Sequence, residues 1–419
     1  MVAAIGVYER WSKKRLAFFL LGWLAMGLPV IMTTWDAQAA KATAAVAWVY
    51  RPLVAADALT FYVTKVIFPS RLLIDYGATP RFVLEHRQIY FALGFVCLLA
   101  VWLWRKRKSG WWLAAALMVA GLAPVLGFIP FEFQSNSTVA DRYMYMPLLG
   151  VCIAVAMLVE STGRLVLVAM LTFVTGLSVA GYKQVKVWSS GDMLFSHTLE
   201  YNPGSLVAWQ SLGAGFMAAK RWPDAINAFT SALALRPRFG DGLYNLGLAY
   251  EEIGLHQLAL EQFRKITTSG APTAASLEGA ARSAKKLGLW DDAKDAIVRL
   301  EQEFPGRSQA AWLMAELQIN SGDFGSADRS FREAIRRQPN GYELRTAYGD
   351  FLSDHGDPAA AVAEYKTALK LAPNAVPPRI NLAVLLASVG RTAEAESELI
   401  EAIRIDPKLA TAYVNYGYL

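Results

Sequence analysis

The chain is poor in the residues that build metal centres and disulfides. Its 419 residues include two cysteines and four histidines. Cys97 and Cys152 form no CxxC pair and sit in apolar stretches, so they read as buried small hydrophobes, and no disulfide framework follows. His86, His197, His256 and His355 are scattered, with no HExxH motif and no Cys/His cluster, so neither a metal nor another cofactor is expected. Charge is scarce as well. Charged residues make up 18% against 54% hydrophobic, with a mean hydropathy of +0.28, whereas a soluble domain is about one quarter charged. The net charge of +6 is not gathered into a nucleic-acid patch. Basic residues sit in short runs beside apolar stretches, Lys13-Lys14-Arg15 and Arg105-Lys106-Arg107-Lys108, where the positive-inside bias of membrane proteins places them. No nucleic-acid partner is expected.

What is abundant is apolar sequence, and it is concentrated before Tyr182. A membrane-spanning helix needs about 20 mostly apolar residues. Five stretches qualify, at roughly Leu16–Met32, Ile89–Trp104, Trp111–Ile129, Met144–Val159 and Leu165–Ala180. Trp102, Trp104, Trp111, Trp112, Tyr143 and Tyr145 cluster near their ends, as amphipathic rings do at a membrane interface. The first stretch also has the features of a signal peptide, with basic residues before it and small residues at Ala37, Ala39 and Ala40. The segment 44–68 is broken by Arg51, Asp57 and Lys65 and is read as interfacial on the outer side. The two basic runs place the start of the first stretch and the loop 105–108 in the cytoplasm. Counting onward, loop 130–142 and everything after the last stretch lie outside it. The expectation is an integral membrane protein, of a bacterial inner membrane, with its C-terminal half extracytoplasmic.

That half repeats every 34 residues without an insertion. Ala225, Ala259, Ala293, Ala327, Ala361 and Ala395 mark the register. Four residues later come Phe229, Phe263, Ile297, Phe331, Tyr365 and Leu399, and three after those Ala232, Ile266, Leu300, Ala334, Ala368 and Ala402. Pro237, Pro305, Pro339, Pro373 and Pro407 close most units. Trp209, Leu212, Gly213 and Phe216, then Leu243, Leu246, Gly247 and Tyr250, complete the pattern W-x2-L-G-x2-Y on the first helix of a unit. Small residues let paired helices approach, the aromatic fills the gap between units, and proline stops the second helix. This pattern resembles tetratricopeptide (TPR) repeats and implies a stacked α-solenoid.

The predicted fold class is therefore all-α, a transmembrane helix bundle followed by a TPR solenoid. Residues 1–189 form the membrane domain and 190–419 the repeats: a half-repeat at 190–205, six repeats over 206–409 and a partial repeat at 410–419. Gln210, Tyr244, Glu278, Arg282, Trp312, Glu316, Thr346 and Asp350 fall on first helices at positions lining the concave face, where a protein or peptide partner would dock. The Lys and Asn pattern that clamps a carboxylate tail is absent, with Gln210, Ala214 and Leu248 at such sites.

Three outer loops hold the polar outliers of the apolar half. They are Arg51-Pro52-Leu53 with Asp57, the run from Pro69 to Gly77, and the run from Val139 to Pro147. Ionisable groups at a membrane boundary are costly without a partner or a task. Arg142 is placed to bind an anionic lipid phosphate, and Asp141 beside it is either its salt-bridge partner or part of the same site. The stretches RPLVAADALTFYVTKVIFPSRLLIDYG and VADRYMYMPLLG resemble the membrane part of the TMTC-type proteins, TPR-containing O-mannosyltransferases of the GT-C class. The resemblance implies a sugar passed from a polyprenyl-phosphate donor to a protein hydroxyl. It also implies a donor site that takes Arg142 for the phosphate, Tyr143 and Tyr145 as pocket walls, and Asp75 and Tyr76 from a neighbouring loop. Members of that class carry an acidic pair in their first outer loop. Here that loop has only Asp36, and no Asp-Asp or Glu-Asp pair precedes Asp291-Asp292, which falls between repeat helices. The resemblance thus implies a chain that begins midway through the enzyme module and is inactive alone, or that works as a repeat scaffold of the cell envelope.

Overall fold

The computed structural model describes residues 46–419, apart from 71, 87, 107–110, 129–132, 134–135, 145–146, 162–163 and 356. The first expected span and the first basic run lie outside the described residues. Among those described the chain is all-α, with no strand. They fall into two compact units, one ending at Pro237 and the other running from Arg238 to Leu419.

The first unit begins with helices α1 (Arg51–Ile67), α2 (Pro80–Glu85), α3 (Gln88–Arg105) and α4 (Trp111–Leu122). After an irregular stretch come α5 (Leu148–Ser161), α6 (Arg164–Val187) and α7 (Gly191–Tyr201). Helix α1 covers most of the segment expected at the interface and packs on α3. By length and composition together, α3 is the one described helix able to cross a membrane. Helix α4 has 12 residues and rises about 18 Å, short of the ~30 Å of a hydrocarbon core. The expected bundle of five spans is thus not formed by the described helices taken singly. The apolar face is nevertheless turned outward: Phe91 is 80% exposed and Leu98 73%. Cys97 and Cys152, expected to be buried, are exposed, because they lie on this outward apolar surface rather than between helices.

A small core holds α1, α4 and the loop after α4 together. Ala55, Ala58, Tyr62, Leu122, Leu126 and Val139 form it, with Tyr76 and Tyr143 packed against it. The Tyr62 hydroxyl accepts from the Ala140 amide at 3.1 Å and donates to its carbonyl at 3.3 Å, which pins the loop to α1. Helices α4 and α5 meet at Gly150, where a Cβ would lie 2.3 Å from the Ala114 carbonyl oxygen.

The first unit closes with the hairpin α8 (Leu206–Ala218) and α9 (Trp222–Leu235). The second holds α10 (Gly240–Glu252), α11 (His256–Thr267), α12 (Ala274–Lys286), α13 (Trp290–Glu303), α14 (Ser308–Asn320) and α15 (Phe324–Arg337). It continues through α16 (Tyr342–Asp354), α17 (Pro358–Leu371), α18 (Val376–Ser388), α19 (Thr392–Ile405) and α20 (Ala410–Gly417). Every alanine of the 34-residue register is at most 1% exposed, and the residues four later are at most 3%. The periodic positions are thus the core. Phe263 sits between Gly247 and Gly279, where a Cβ would lie 2.7 Å from its ring in each case. Glycine is needed there for close approach, not for backbone freedom.

A second device recurs at the junctions. The fourth residue of a first helix donates to the carbonyl of the proline six residues earlier: Trp209 to Pro203 (2.9 Å), Arg345 to Pro339 (3.2 Å), Arg379 to Pro373 (2.6 Å) and Tyr413 to Pro407 (3.2 Å). Different side chains supply the same donor. Each satisfies a carbonyl in the turn between two helices, which has no partner in either helix ladder. The acidic pair Asp291 and Asp292 opens α13, and Asp292 pairs with Arg264 at 2.6 Å, in keeping with a helix N-terminus.

Candidate functional site

Two features are candidates for a ligand site, a groove within the first unit and the first-helix residues of the repeats, of which Gln210 belongs to the first unit and the others to the second. In the first unit, α5 and α6 leave an open groove of about 950 Å³ against the end of α1. Leu148, Val151 and Val155 of α5 and Phe173, Val174 and Leu177 of α6 give it apolar walls. Polar groups gather around it: Lys65 at the end of α1, Asp141, and Gln184 near the end of α6.

The polar end is built by the loop 69–77. The Tyr76 hydroxyl donates to Asp141, with oxygens 2.8 and 2.9 Å away, and accepts from the Leu73 amide at 3.0 Å. The Lys65 ammonium lies 4.8 Å from the centre of the Tyr76 ring and donates to the Ser70 carbonyl. Burial pushes the Asp141 carboxyl above its ordinary range, and the Tyr76 bond and the Lys65 charge pull it partly back. Burial, and then the neighbouring Asp141 charge, raise the Tyr76 phenol, so it stays a donor at neutral pH.

Of the residues expected at the donor site, the structure brings Tyr76 to this end. Tyr143 packs against the small core. The side chain of Arg142 and all of Tyr145 lie outside the described residues. Asp75 is 2% exposed and turns toward the first repeat. One of its oxygens accepts from the Ser205 hydroxyl at 2.6 Å and the other from the Gly77 amide at 2.9 Å. In the sequence Lys65 reads only as a break in an apolar run. Its place one helix turn after Phe61 is the signal the sequence carries, and the structure adds that this face meets Tyr76.

The second feature is the row of first-helix residues in the repeats. Here the charges answer one another. Arg282 pairs with Glu251 at 2.9 Å, Arg307 with Glu278 at 3.0 Å, and Lys285 with Glu316. Asp350 accepts from the Tyr365 hydroxyl at 2.6 Å and from Asn381 at 2.7 Å. Thr346 is buried and donates to the Tyr342 carbonyl of its own helix at 2.8 Å. Tyr244 stands 5.8 Å from Phe263, centre to centre. Gln210 is half-buried, and the Trp312 indole N–H is buried without an acceptor. The surface is a net of cross-repeat pairs with aromatic residues between them. No group of acidic, His and Cys residues among the described residues could hold a metal ion.

Comparison with known proteins bears on the repeats. Tetratricopeptide-repeat family profiles match residues 212–275, 313–376 and 352–414. The C-terminal half is a tetratricopeptide-repeat array. A segment of 141 residues, 32% of this chain, is 26% identical to the Protein O-mannosyl-transferase tmtc2 of Xenopus laevis and spans 16% of that protein. Another of 67 residues, 16% of this chain, is 39% identical to the Peroxisomal targeting signal receptor of Kluyveromyces lactis and spans 12% of it. The chain thus covers a small part of the curated relatives it matches. Among solved structures, a tetratricopeptide repeat protein from Parabacteroides merdae aligns at 15% identity with a TM-score of 0.49, over 58% of this chain and 95% of that one. The APC/C hetero-tetramer Cut9-Hcn1 aligns at 15% identity with a TM-score of 0.46, over 54% and 45%.

Proposed function

We propose that this chain is a membrane-anchored repeat protein related to polyprenyl-phosphate-sugar-dependent protein O-glycosyltransferases. Its repeats would bind a protein or peptide outside the cytoplasm, and its apolar half would hold a lipid-linked phosphate. The observation that carries the reading is the groove between α5 and α6. It has the walls a prenyl chain needs and polar groups where a headgroup would sit. Lys65, and Arg142 two residues after Ala140 in the sequence, supply cations for a phosphate. The outward apolar faces of α3 and α6, with Leu171, Val174 and Val179 exposed, support placement in a bilayer. The likeness to the tmtc2 protein supports the family relation, and the likeness to a receptor named for a targeting signal supports peptide binding by the repeats.

The test is binding of undecaprenyl phosphate to the full chain in detergent, followed by native mass spectrometry. Binding that weakens about tenfold or more in Arg142→Ala or Lys65→Ala, the loss of a charge-assisted contact, supports the reading. No bound lipid at any concentration overturns it. A second reading is a repeat scaffold without transfer activity, favoured by family matches that fall wholly within residues 212–414. Sugar transfer from a polyprenyl-phosphate donor to a protein acceptor would exclude it.

A further inference from the structure

The loop 69–77 makes hydrogen bonds on three sides, and those bonds reach both the lipid groove and the first repeat. At its start, the Leu72 carbonyl accepts from Gln184 of α6 at 3.0 Å, and both residues line the groove. Past its middle, Tyr76 holds Asp141 at the groove's polar end. Between these contacts, Asp75 faces away from the groove. Its carboxylate takes the Ser205 hydroxyl, and its carbonyl accepts from the Asn202 amide group at 3.3 Å.

Ser205 is not an ordinary surface serine. It is 1% exposed and caps α8, accepting from the Ala208 amide at 3.2 Å. One hydroxyl therefore fixes the start of the first complete repeat and binds the loop. Gly77 closes the turn with φ +66°, and a Cβ there would meet the Asn202 amide at 3.1 Å. A side chain at 77 would be strained at this φ and would crowd Asn202.

We infer that Asp75 is a positioning residue whose clasp on Ser205 and Asn202 couples the first repeat to the polar end of the groove. Tilting α8 on partner binding would move Asp75 and, one residue on, the Tyr76 hydroxyl that orients Asp141. Conversely, a headgroup drawing on Asp141 or Lys65 would tighten the cap of α8. The ligand half of this coupling rests on the lipid reading above, whereas the mechanical half rests on the hydrogen bonds alone.

Hydrogen–deuterium exchange on the full chain in detergent separates the two. Asp75→Ala leaves the Ser205 cap intact and removes the clasp. It is expected to speed exchange about tenfold or more, the factor for a lost bond to a charged group, both at residues 206–210 and at 141–144, which Asp75 does not touch. Ser205→Ala should carry the same effect to 141–144, and Tyr76→Phe should carry it to 206–210. Faster exchange confined to the turn around each substitution overturns the coupling. Added undecaprenyl phosphate should slow exchange at 206–210 in the unsubstituted chain and not in Asp75→Ala. If the phosphate does not bind, the lipid reading fails while the substitution results still decide the clasp. If it binds and leaves 206–210 unchanged, the coupling fails and the lipid reading stands.

Discussion

Single side chains decide where this molecule tolerates change. Gly213 faces the Phe229 ring, and a Cβ would lie 2.6 Å from it. Gly213→Ala should destabilise the first repeat by about 1–3 kcal/mol, the cost of overpacking a close-fitted site, read as a lower urea midpoint. Gly150→Ala meets backbone instead, which cannot rotate away, and should cost about 3 kcal/mol at the upper end of the same range. A melt of the detergent-solubilised chain would show it. The glycines and alanines of the register were legible in the sequence because a 34-residue period exposes every position that must be small. Asp75 was legible only as a polar outlier. Its spacing gives no sign that it reaches Ser205, a partner 130 positions away.

At the scale of helices, hydrogen bonds at the junctions and ion pairs between neighbouring units add to the apolar stack. Trp209→Phe keeps most of the ring and removes the donor to Pro203, and should cost about 1 kcal/mol, measured by the same urea titration. The α15 cluster gives a pH dependence. Glu333 accepts from Arg336 and Arg337, and their guanidiniums hold its carboxyl down at about 2, against an ordinary value of 4.5. A carboxyl lowered on folding contributes its stability above the unfolded value and loses it as pH falls toward the folded one. The thermal midpoint should therefore decline between about pH 4.5 and about pH 2, and Glu333→Gln should flatten that part of the curve. Helix positions in the repeats followed from the sequence. The pairing of Arg337 with Glu301, 36 residues away, did not, since surface charge shows no partner until neighbouring helices are stacked.

At the scale of the whole chain, composition and packing draw different lines. Composition changes near 190, but the compact units divide at Pro237, because the half-repeat helix α7 and the hairpin α8–α9 belong with the apolar unit. Residues 238–419, expressed alone, should fold as a helical array that unfolds cooperatively by circular dichroism, as nearest-neighbour stacking predicts. The same expression of 205–419 should show its first hairpin less protected, because Ser205 still caps α8 but Asp75 is then missing from it. The orientation argued from the basic runs has its own check. A reporter that works only in the cytoplasm, fused after Leu419, should stay silent.

The sequence by itself determined the repeats, their register and the residues at their core, because a unit that cannot bury its own apolar face must repeat the residues by which it stacks. It also determined that the apolar residues are concentrated before Tyr182. Tertiary structure alone decided which polar groups meet. It turned Asp75 to the first repeat, gave Tyr76 to Asp141 and brought Lys65 beside them. These contacts join segments far apart in the chain, and a hydrogen bond depends on position in space and not on distance along the sequence.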